Sequence, residues 1–314
     1  MNQRVVLGID VGGTSVRGAL VDLGGRTLHS ARRPTGRHAD EATAGLTDVA
    51  QELRRRADDS GLDVLACGVV SPGIIVDGVV TYAANLGWRE FPLGHVLHEI
   101  VGAPVRVGHD ARTAGLAESL LGVARAHRNF LAVAIGTGIA ASLVVDGRVL
   151  EGAGQGAGEL GHIPVLPDGD RCSCGQRGCL DAYASGAGLS RRYAAHTGRD
   201  LTSERIVAGL HQDPDARTVW DEGVRALGLA LTTTTILLDP ELIVLSGGVS
   251  AAGPALVGPL TRHLTDNLAW KPAPPVRVSP LGDRAGIWGA ITLAMQEAGE
   301  VDAMQAWELT PRRG

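Results

Sequence analysis

A strand, a glycine loop and a second strand follow one another twice along the chain. In the first copy, the apolar run at 5–10 leads into the glycine loop at 12–14 and then into another apolar run. In the second copy, the run at 129–135 leads into the loop at 136–138 in the same way, and the two loops begin 124 residues apart. One hairpin in each half predicts a duplicated α/β fold.

Both loops are candidates for phosphate binding. The backbone amides of Gly12 and Gly13, together with the hydroxyl of Thr14, can cradle phosphate oxygens. Asp10 ends the preceding strand, where its carboxylate can hold Mg²⁺ through water. A plain glycine hairpin is the alternative, but the repetition favours a nucleotide clamped between the two halves. The same role is predicted for the second loop, which consists of Gly136, Thr137 and Gly138.

Two other phosphate-binding motifs are excluded by their context. A P-loop requires lysine followed by serine or threonine, but Lys271 is the single lysine of the chain and precedes proline. Residues 136–141 match the loose dinucleotide pattern G-x-G-x-x-A, yet a strand follows them where that motif requires a helix. Neither a P-loop NTPase nor a dehydrogenase is therefore expected.

Three cysteines and one histidine form a candidate metal site with the spacing H-x9-C-x-C-x4-C. A set of one nitrogen and three sulfur ligands is common for structural zinc, and it leaves no open coordination position for catalysis. Reduced thiols that happen to be close in sequence are the alternative. The predicted zinc ligands are His162, Cys172, Cys174 and Cys179.

The sequence around these ligands carries a family resemblance. The segments Glu-Leu-Gly-His at 159–162 and Cys-Ser-Cys-Gly-Gln-Arg-Gly-Cys-Leu at 172–180 resemble the signature of the ROK family of sugar kinases and sugar-responsive repressors. The resemblance implies an actin-like (ribonuclease H-like) α/β fold of two domains with an interdomain cleft. It implies a small domain of residues 1–110 plus 298–314 and a large domain of residues 111–297, which carries the zinc-bound loop.

The resemblance also implies roles for individual residues. Asp110 lies between a predicted strand and a predicted helix, where it matches the family's catalytic base, although a helix N-cap is the structural alternative. Gly247 and Gly248, after a late strand, would face the adenosine of ATP. The remaining implied sugar-binding residues are Gly73, Asn85, His109, Glu159, His162 and Asp181.

Two of these residues depart from the family pattern. His109 stands where the kinases often have asparagine, and Asp181 stands where glutamate is usual. The carboxylate of Asp181 reaches about one methylene less far into the site, and an imidazole at 109 can alter sugar contacts or the pKa of the base. Both departures leave the identity of the sugar open.

The resemblance implies ATP-dependent phosphorylation of a hexose, with glucose converted to glucose 6-phosphate as the first expectation. Mannose, fructose, allose or an N-acylhexosamine such as N-acetylmannosamine stay open as substrates, and polyphosphate stays open as the donor. A non-catalytic sugar-binding regulator is the other alternative. Repressor relatives carry a helix-turn-helix module before the first strand, for which the four residues before Val5 leave no room. A zinc-ribbon module would need neither glycine hairpin.

The composition of the chain limits the classes of binding partner and the cellular compartment that we expect. The net charge of −5 gives no indication of a nucleic-acid surface, and no apolar run approaches the ~18 residues of a membrane span. Clustered thiols and a start without a signal peptide lead us to expect a cytoplasmic enzyme. Because relatives often form dimers or tetramers, the resemblance implies a homo-oligomer. We expect solvated charges at 54–56 and at Arg312 and Arg313.

Hydrophobic periodicity and turn residues place the main elements. Helices are predicted at 41–56, 111–121, 185–196, 204–210, 218–235 and from 287 onward. Beyond the two hairpins, strands are predicted from 64 to the turn at 71–73, at 104–107 and at 241–245.

Overall fold

The computed structural model describes residues 2–36 and 38–307, and the chain divides into two compact units. Unit 1 comprises Met1–Arg125, Glu151–Gly156 and Arg284–Gly314, and unit 2 comprises Ala126–Leu150 and Ala157–Asp283. By contacts, residues 111–125, 151–156 and 284–297 group with unit 1, whereas the family resemblance implies a large domain of residues 111–297. Arg312 and Arg313 lie outside the described residues.

Unit 1 contains a five-stranded sheet, a small three-stranded sheet and three helices in its first 125 residues. In chain order these elements are β1 (Gln3–Val11), β2 (Ser15–Asp22), β3 (Thr27–Pro34), α1 (Ala39–Asp59), β4 (Leu62–Ser71), β5 (Ile74–Val76), β6 (Val79–Ala83), β7 (Trp88–Phe91), α2 (Leu93–Val101), β8 (Val105–His109) and α3 (Asp110–Leu121).

The large sheet of unit 1 has the strand order β3-β2-β1-β4-β8. The strands β1, β2 and β3 form an antiparallel meander, whereas β4 and β8 continue the sheet in parallel with β1. The crossovers to β4 and β8 are made through α1 and α2, as parallel pairing requires. The small sheet has the order β5-β6-β7 and is antiparallel.

Unit 2 contains a second five-stranded sheet and five helices. Its elements are β9 (Phe130–Ile135), β10 (Ile139–Val145), β11 (Arg148–Val149), α4 (Asp181–Ala184), α5 (Gly186–Thr197), α6 (Ser203–Gly209), α7 (Pro214–Leu238), β12 (Leu242–Ser246), α8 (Pro254–Asn267) and β13 (Val276–Val278).

The second sheet repeats the topology of the first. Its order is β11-β10-β9-β12-β13, with an antiparallel meander followed by two parallel strands. The glycine loops occupy equivalent positions, because Val11 pairs with Val16 in the first hairpin and Ile135 pairs with Ile139 in the second. The predicted duplicated α/β fold is therefore confirmed.

The last long helix, α9 (Ala285–Glu297), returns to unit 1 and packs on β1 and β4. Glycine permits this approach: a Cβ at Gly68 would lie 1.9 Å from Ala290 O, and one at Gly8 would lie 2.7 Å from Ile291 Cγ1. Because Gly68 has no side chain, the backbone of α9 lies directly on the sheet.

All six predicted helices are present in the described residues, but their ends differ from the sequence expectation. Helix α7 begins at Pro214, because Asp213 caps it by accepting hydrogen bonds from the amides of Asp215 and Ala216. The predicted start at 218 missed that cap. The strands β3, β5, β6 and β7 and the helices α2 and α8 were not predicted, since most are short and several are only partly buried. None of the helices within the described residues is long and apolar enough to span a membrane.

We predict that Gly68→Ala destabilises unit 1 by about 3 kcal/mol, because the added methyl group overlaps the carbonyl oxygen of Ala290. Urea unfolding of the purified chain measures the loss. Gly154→Ala is the matched control, since no atom lies within 4 Å of its added Cβ. Equal midpoints for the two variants would contradict the proposed close packing of α9 on β4.

Candidate active-site residues

The glycine loop of unit 1 is held by three hydrogen bonds. The amide of Gly12 donates to the carbonyl of Ser15 over 3.1 Å, and Thr35 donates from its hydroxyl to the carbonyl of Gly12 over 2.5 Å and from its amide to the carbonyl of Thr14 over 3.2 Å. Gly13 and Thr14 are exposed at the tip. The loop thus presents backbone and a hydroxyl group to solvent from a fixed base.

Asp10 is the second-last residue of β1 and lies beside the first turn of α9. A Cβ at Gly286 would lie 2.7 Å from Asp10 Oδ2, so the carboxyl group is packed against the helix start. Burial, with a further contribution from the negative charge of Asp110, raises the pKa of Asp10 to about 7, and Arg17 opposes the shift. A bound cation would favour the ionised form.

Asp110 is the first residue of α3, directly after β8. Its Oδ1 accepts a hydrogen bond from the amide of Ala111 over 2.6 Å and lies 3.2 Å from Nδ1 of His109. The side chain of His109 is buried, but that of Asp110 is 36% exposed. The carboxyl group therefore contacts the helix start and still reaches solvent, which a general base needs.

Gly73 and Asn85 flank the small sheet. Gly73 has φ +103°, and a Cβ there would lie 2.3 Å from Tyr82 O, so this turn requires glycine. Asn85 is exposed in a 3₁₀ turn, and its Cβ lies 3.9 Å from the Cβ position of Gly13. Unit 1 thus brings Asn85 next to the first glycine loop.

The glycine loop of unit 2 is fixed by its neighbours in the same way. The amide of Gly136 donates to the carbonyl of Gly138 over 2.9 Å, and the amide of Gly186 donates to the carbonyl of Gly136 over 2.8 Å. Thr137 and Gly138 are exposed. This loop therefore also presents its tip to solvent.

The predicted glycine turn after β12 lies against that loop. Gly247 has φ +84°, and a Cβ there would lie 2.5 Å from Ile135 O, so only glycine fits. Gly248 is exposed, and its Cβ position lies 3.7 Å from Oε1 of Glu204. Sequence reasoning treated Glu204 only as the start of a helix, because nothing local indicates its proximity to Gly248.

Within the described residues, four side chains form a group that could hold a metal ion: His162, Cys172, Cys174 and Cys179. Their ligand atoms all lie within 4.8 Å of one another. The Sγ atoms of Cys174 and Cys179 are 3.7 Å apart, close to the ~3.8 Å edge of a tetrahedron with Zn–S bonds of about 2.3 Å. The donor set and its spacing therefore fit zinc.

His162 connects the metal-ligand group to Glu159. Its Nδ1 lies 4.0 Å from Sγ of Cys172, whereas its Nε2 lies 3.9 Å from Oε2 of Glu159. Both residues belong to one tight turn, with a 3₁₀ segment at Leu160–His162. One ring nitrogen thus faces the cysteines and the other faces the carboxylate.

Asp181 begins α4 and is half-buried. Its Oδ1 accepts a hydrogen bond from the amide of Ile139 over 2.6 Å. Burial raises the pKa of Asp181, while the Ile139 amide and then His162 oppose the shift. The carboxyl group is therefore already engaged with the backbone that follows the second glycine loop.

The metal-ligand loop, which we define as residues 162–179, has further contacts that sequence reasoning missed. The hydroxyl of Tyr183 accepts a hydrogen bond from the amide of Asp170 over 2.7 Å. Arg192 forms ion pairs with Asp170 and Glu222 and lies 4.6 Å from the centre of the Tyr183 ring. These contacts join the loop to α4, α5 and α7, so the loop does not depend on a metal alone.

Comparison with known proteins gives one family. The model of the ROK family matches residues 6–297. The chain is 32% identical over 329 aligned positions to a glucokinase from Halalkalibacterium halodurans, covering 96% of this chain and 98% of that protein. It is 35% identical over 302 positions to a kanosamine kinase from Amycolatopsis mediterranei, covering 94% of this chain and 98% of that protein.

A solved structure has the same fold. The ROK family glucokinase from Streptomyces griseus, determined in complex with glucose and AMPPNP, is 30% identical and superposes with a TM-score of 0.79. The match covers 93% of this chain and 99% of that one. The similarity confirms the predicted actin-like fold class.

We predict that the purified chain contains about one zinc ion per molecule and that Cys179→Ser loses it, because three ligands hold zinc far more weakly than four. Elemental analysis measures the metal, and urea unfolding of the same samples measures the accompanying loss of stability. Ser173→Ala, an exposed position between two of the cysteines, should keep both. Metal content unchanged in Cys179→Ser would contradict the assignment.

We predict a pH-dependent stability that arises from Asp10. Below pH about 4 the group is protonated in both states, whereas between its ordinary pKa of 3.8 and about 7 only the unfolded chain ionises. The free energy of unfolding therefore falls as pH rises through this range. Asp10→Asn removes the effect, so the variant should gain about 1–4 kcal/mol relative to the native chain between pH 4 and pH 8.

Urea unfolding in magnesium-free buffer across this pH range measures the gain. Asp48→Asn, an exposed carboxyl on α1, is the control and should follow the native profile. Parallel profiles for Asp10→Asn and the native chain would show that Asp10 titrates normally.

Proposed function

Because the chain belongs to the ROK family, we propose that it is a sugar kinase that transfers the γ-phosphoryl group of ATP to a hydroxyl group of a hexose. Glucose, converted to glucose 6-phosphate, is the proposed substrate. Another hexose or a hexosamine is the alternative, since similar proteins include both a glucokinase and a kanosamine kinase.

The observation that carries this proposal is the pair of carboxyl groups in unit 1. Asp10 is the second-last residue of β1 and Asp110 directly follows β8, and the charge of Asp110 contributes to the raised pKa of Asp10. Phosphoryl transfer to an alcohol needs a base for the hydroxyl proton and a carboxylate that can attract a cation to the phosphates. Asp10 is partly buried against the start of α9, which suits a residue that attracts a cation, whereas Asp110 reaches solvent, which suits a base that accepts a proton from an incoming hydroxyl group.

We assign the base to Asp110. Its Oδ1 is oriented by the Ala111 amide, and its exposed side chain can accept the proton of an approaching hydroxyl group. The proposed sugar ligands in unit 1 are Gly73, Asn85 and His109. Those in unit 2 are Glu159, His162 and Asp181.

The glycine loops are assigned to the nucleotide. Exposed backbone and hydroxyl groups at Gly12, Gly13 and Thr14 suit phosphate oxygens. In unit 2 the same is proposed for Gly136, Thr137 and Gly138, and the flat surface at Gly247 and Gly248 is proposed to face the adenosine. Mg²⁺, when bound, would neutralise charge on the phosphates, and Asp10 is the residue placed to hold it through water.

The metal-ligand group is assigned a structural role. Four protein ligands complete a tetrahedron, so a zinc ion there would have no position for substrate. Its proposed effect is to fix the turn at 159–162, where Glu159 and His162 present an acceptor and a donor. Cytoplasmic location and assembly into a dimer or tetramer stay predictions from the family resemblance.

We predict that Asp110→Asn lowers kcat by about 10²–10⁴-fold, because asparagine cannot accept the hydroxyl proton. A coupled assay of ADP release across hexoses and hexosamines measures the change and identifies the sugar. Binding of that sugar, measured by calorimetry, should change little. Asp48→Asn is the matched control and should keep full activity.

Full activity in Asp110→Asn would remove the residue from the base role. Turnover with polyphosphate but not with ATP would show that polyphosphate is the phosphoryl donor. Sugar binding without turnover in the native chain would favour the regulator alternative.

A further inference from the structure

The carboxyl group of Asp181 touches both functional segments of unit 2. We define the sugar turn as residues 159–162 and the second glycine loop as residues 136–138. A Cβ at Gly161 would lie 2.6 Å from Asp181 Oδ1, and a Cβ at Gly138 would lie 3.3 Å from Asp181 Oδ2. Each segment therefore has glycine at the point where it meets this carboxyl group.

A hydrogen bond ties the same group to the end of the glycine loop. Oδ1 accepts from the amide of Ile139 over 2.6 Å, and Ile139 is the first residue of β10. Because Ile139 is buried, solvent cannot readily replace this acceptor. Loss of the carboxyl group would leave the backbone at the loop exit without its partner.

The backbone of Asp181 is itself fixed from two directions. It follows Cys179, one of the proposed metal ligands, after one residue. Its carbonyl accepts a hydrogen bond from the hydroxyl of Ser185 over 2.7 Å, and Ser185 caps α5. The carboxyl group is therefore a rigid link and not a mobile side chain.

We propose that Asp181 is a positioning residue that couples the sugar turn to the second glycine loop, so that sugar and nucleotide affinity both depend on it. This inference rests on the proposed function and adds a role to the direct sugar contact that the resemblance implies. A residue that only contacts sugar would leave nucleotide affinity unchanged. A residue that positions both segments changes both affinities.

Calorimetry of the native chain and its variants tests the coupling, with AMPPNP and glucose titrated separately. If the activity panel identifies another sugar, that sugar replaces glucose. Asp181→Ala should weaken AMPPNP binding by about tenfold, because a buried amide loses its charged acceptor. Asp181→Asn should stay within about threefold of the native value, since its Oδ1 can still accept from Ile139. Asp168→Ala, in the same segment, should bind AMPPNP normally.

A second pair of variants tests the link by changing the second glycine loop, so that the carboxyl group of Asp181 is kept. Gly138→Ala should alter glucose affinity measured without nucleotide, because its Cβ displaces the carboxyl group by a few tenths of an ångström. In Gly154→Ala, which lies outside both glycine loops, the added Cβ meets no atom within 4 Å, so this variant should leave glucose affinity unchanged.

Three results would overturn the inference. Normal AMPPNP binding by folded Asp181→Ala, with weakened glucose binding, would reduce the residue to a sugar contact. Equal glucose affinity in Gly138→Ala and Gly154→Ala would show that the two segments are not linked, even if Asp181→Ala does not fold. A native chain that binds neither AMPPNP nor any sugar of the panel would overturn the proposed function, and this inference with it.

Discussion

The close packing of α9 on β1 and β4 is the contact on which the candidate site of unit 1 depends. It exists because Gly8 and Gly68 leave the sheet surface bare where the helix crosses it. The same helix begins beside Asp10, so its position decides how deeply that carboxyl group is buried. Packing at the middle of the helix thus affects the burial, and with it the pKa, of Asp10 beside the helix start.

The duplicated topology explains why glycine loops occur twice, but the two units use it differently. Unit 1 adds acidic side chains to its loop, at Asp10 and Asp110. Unit 2 adds a metal-ligand group and a second glycine turn, at Gly247 and Gly248. The repeated hairpin places an exposed glycine loop in each unit, and each unit adds a different set of side chains beside that loop.

Contacts within and around the metal-ligand loop hold the backbone that carries two candidate site residues. Tyr183 and Arg192 contact Asp170 in this loop, and the four side chains that could hold a metal ion lie within the same loop. Glu159 and Asp181 lie close in sequence to His162 and Cys179, so the contacts that hold this loop also limit the positions of their backbones. The carboxyl group of Asp181 has a backbone partner in this chain, the amide of Ile139.

The sequence by itself determined the repeated hairpin, the duplicated α/β fold, the four side chains that could hold a metal ion and the position of Asp110 after a strand. These features are local: periodicity, glycine spacing and ligand spacing are all properties of neighbouring residues. Only the tertiary structure decided that burial raises the pKa of Asp10, that Glu204 lies beside Gly248 and that Asp181 accepts a hydrogen bond from the amide of Ile139. Each of these depends on a contact between residues far apart in the chain, and such contacts leave no periodic trace in the segments that make them.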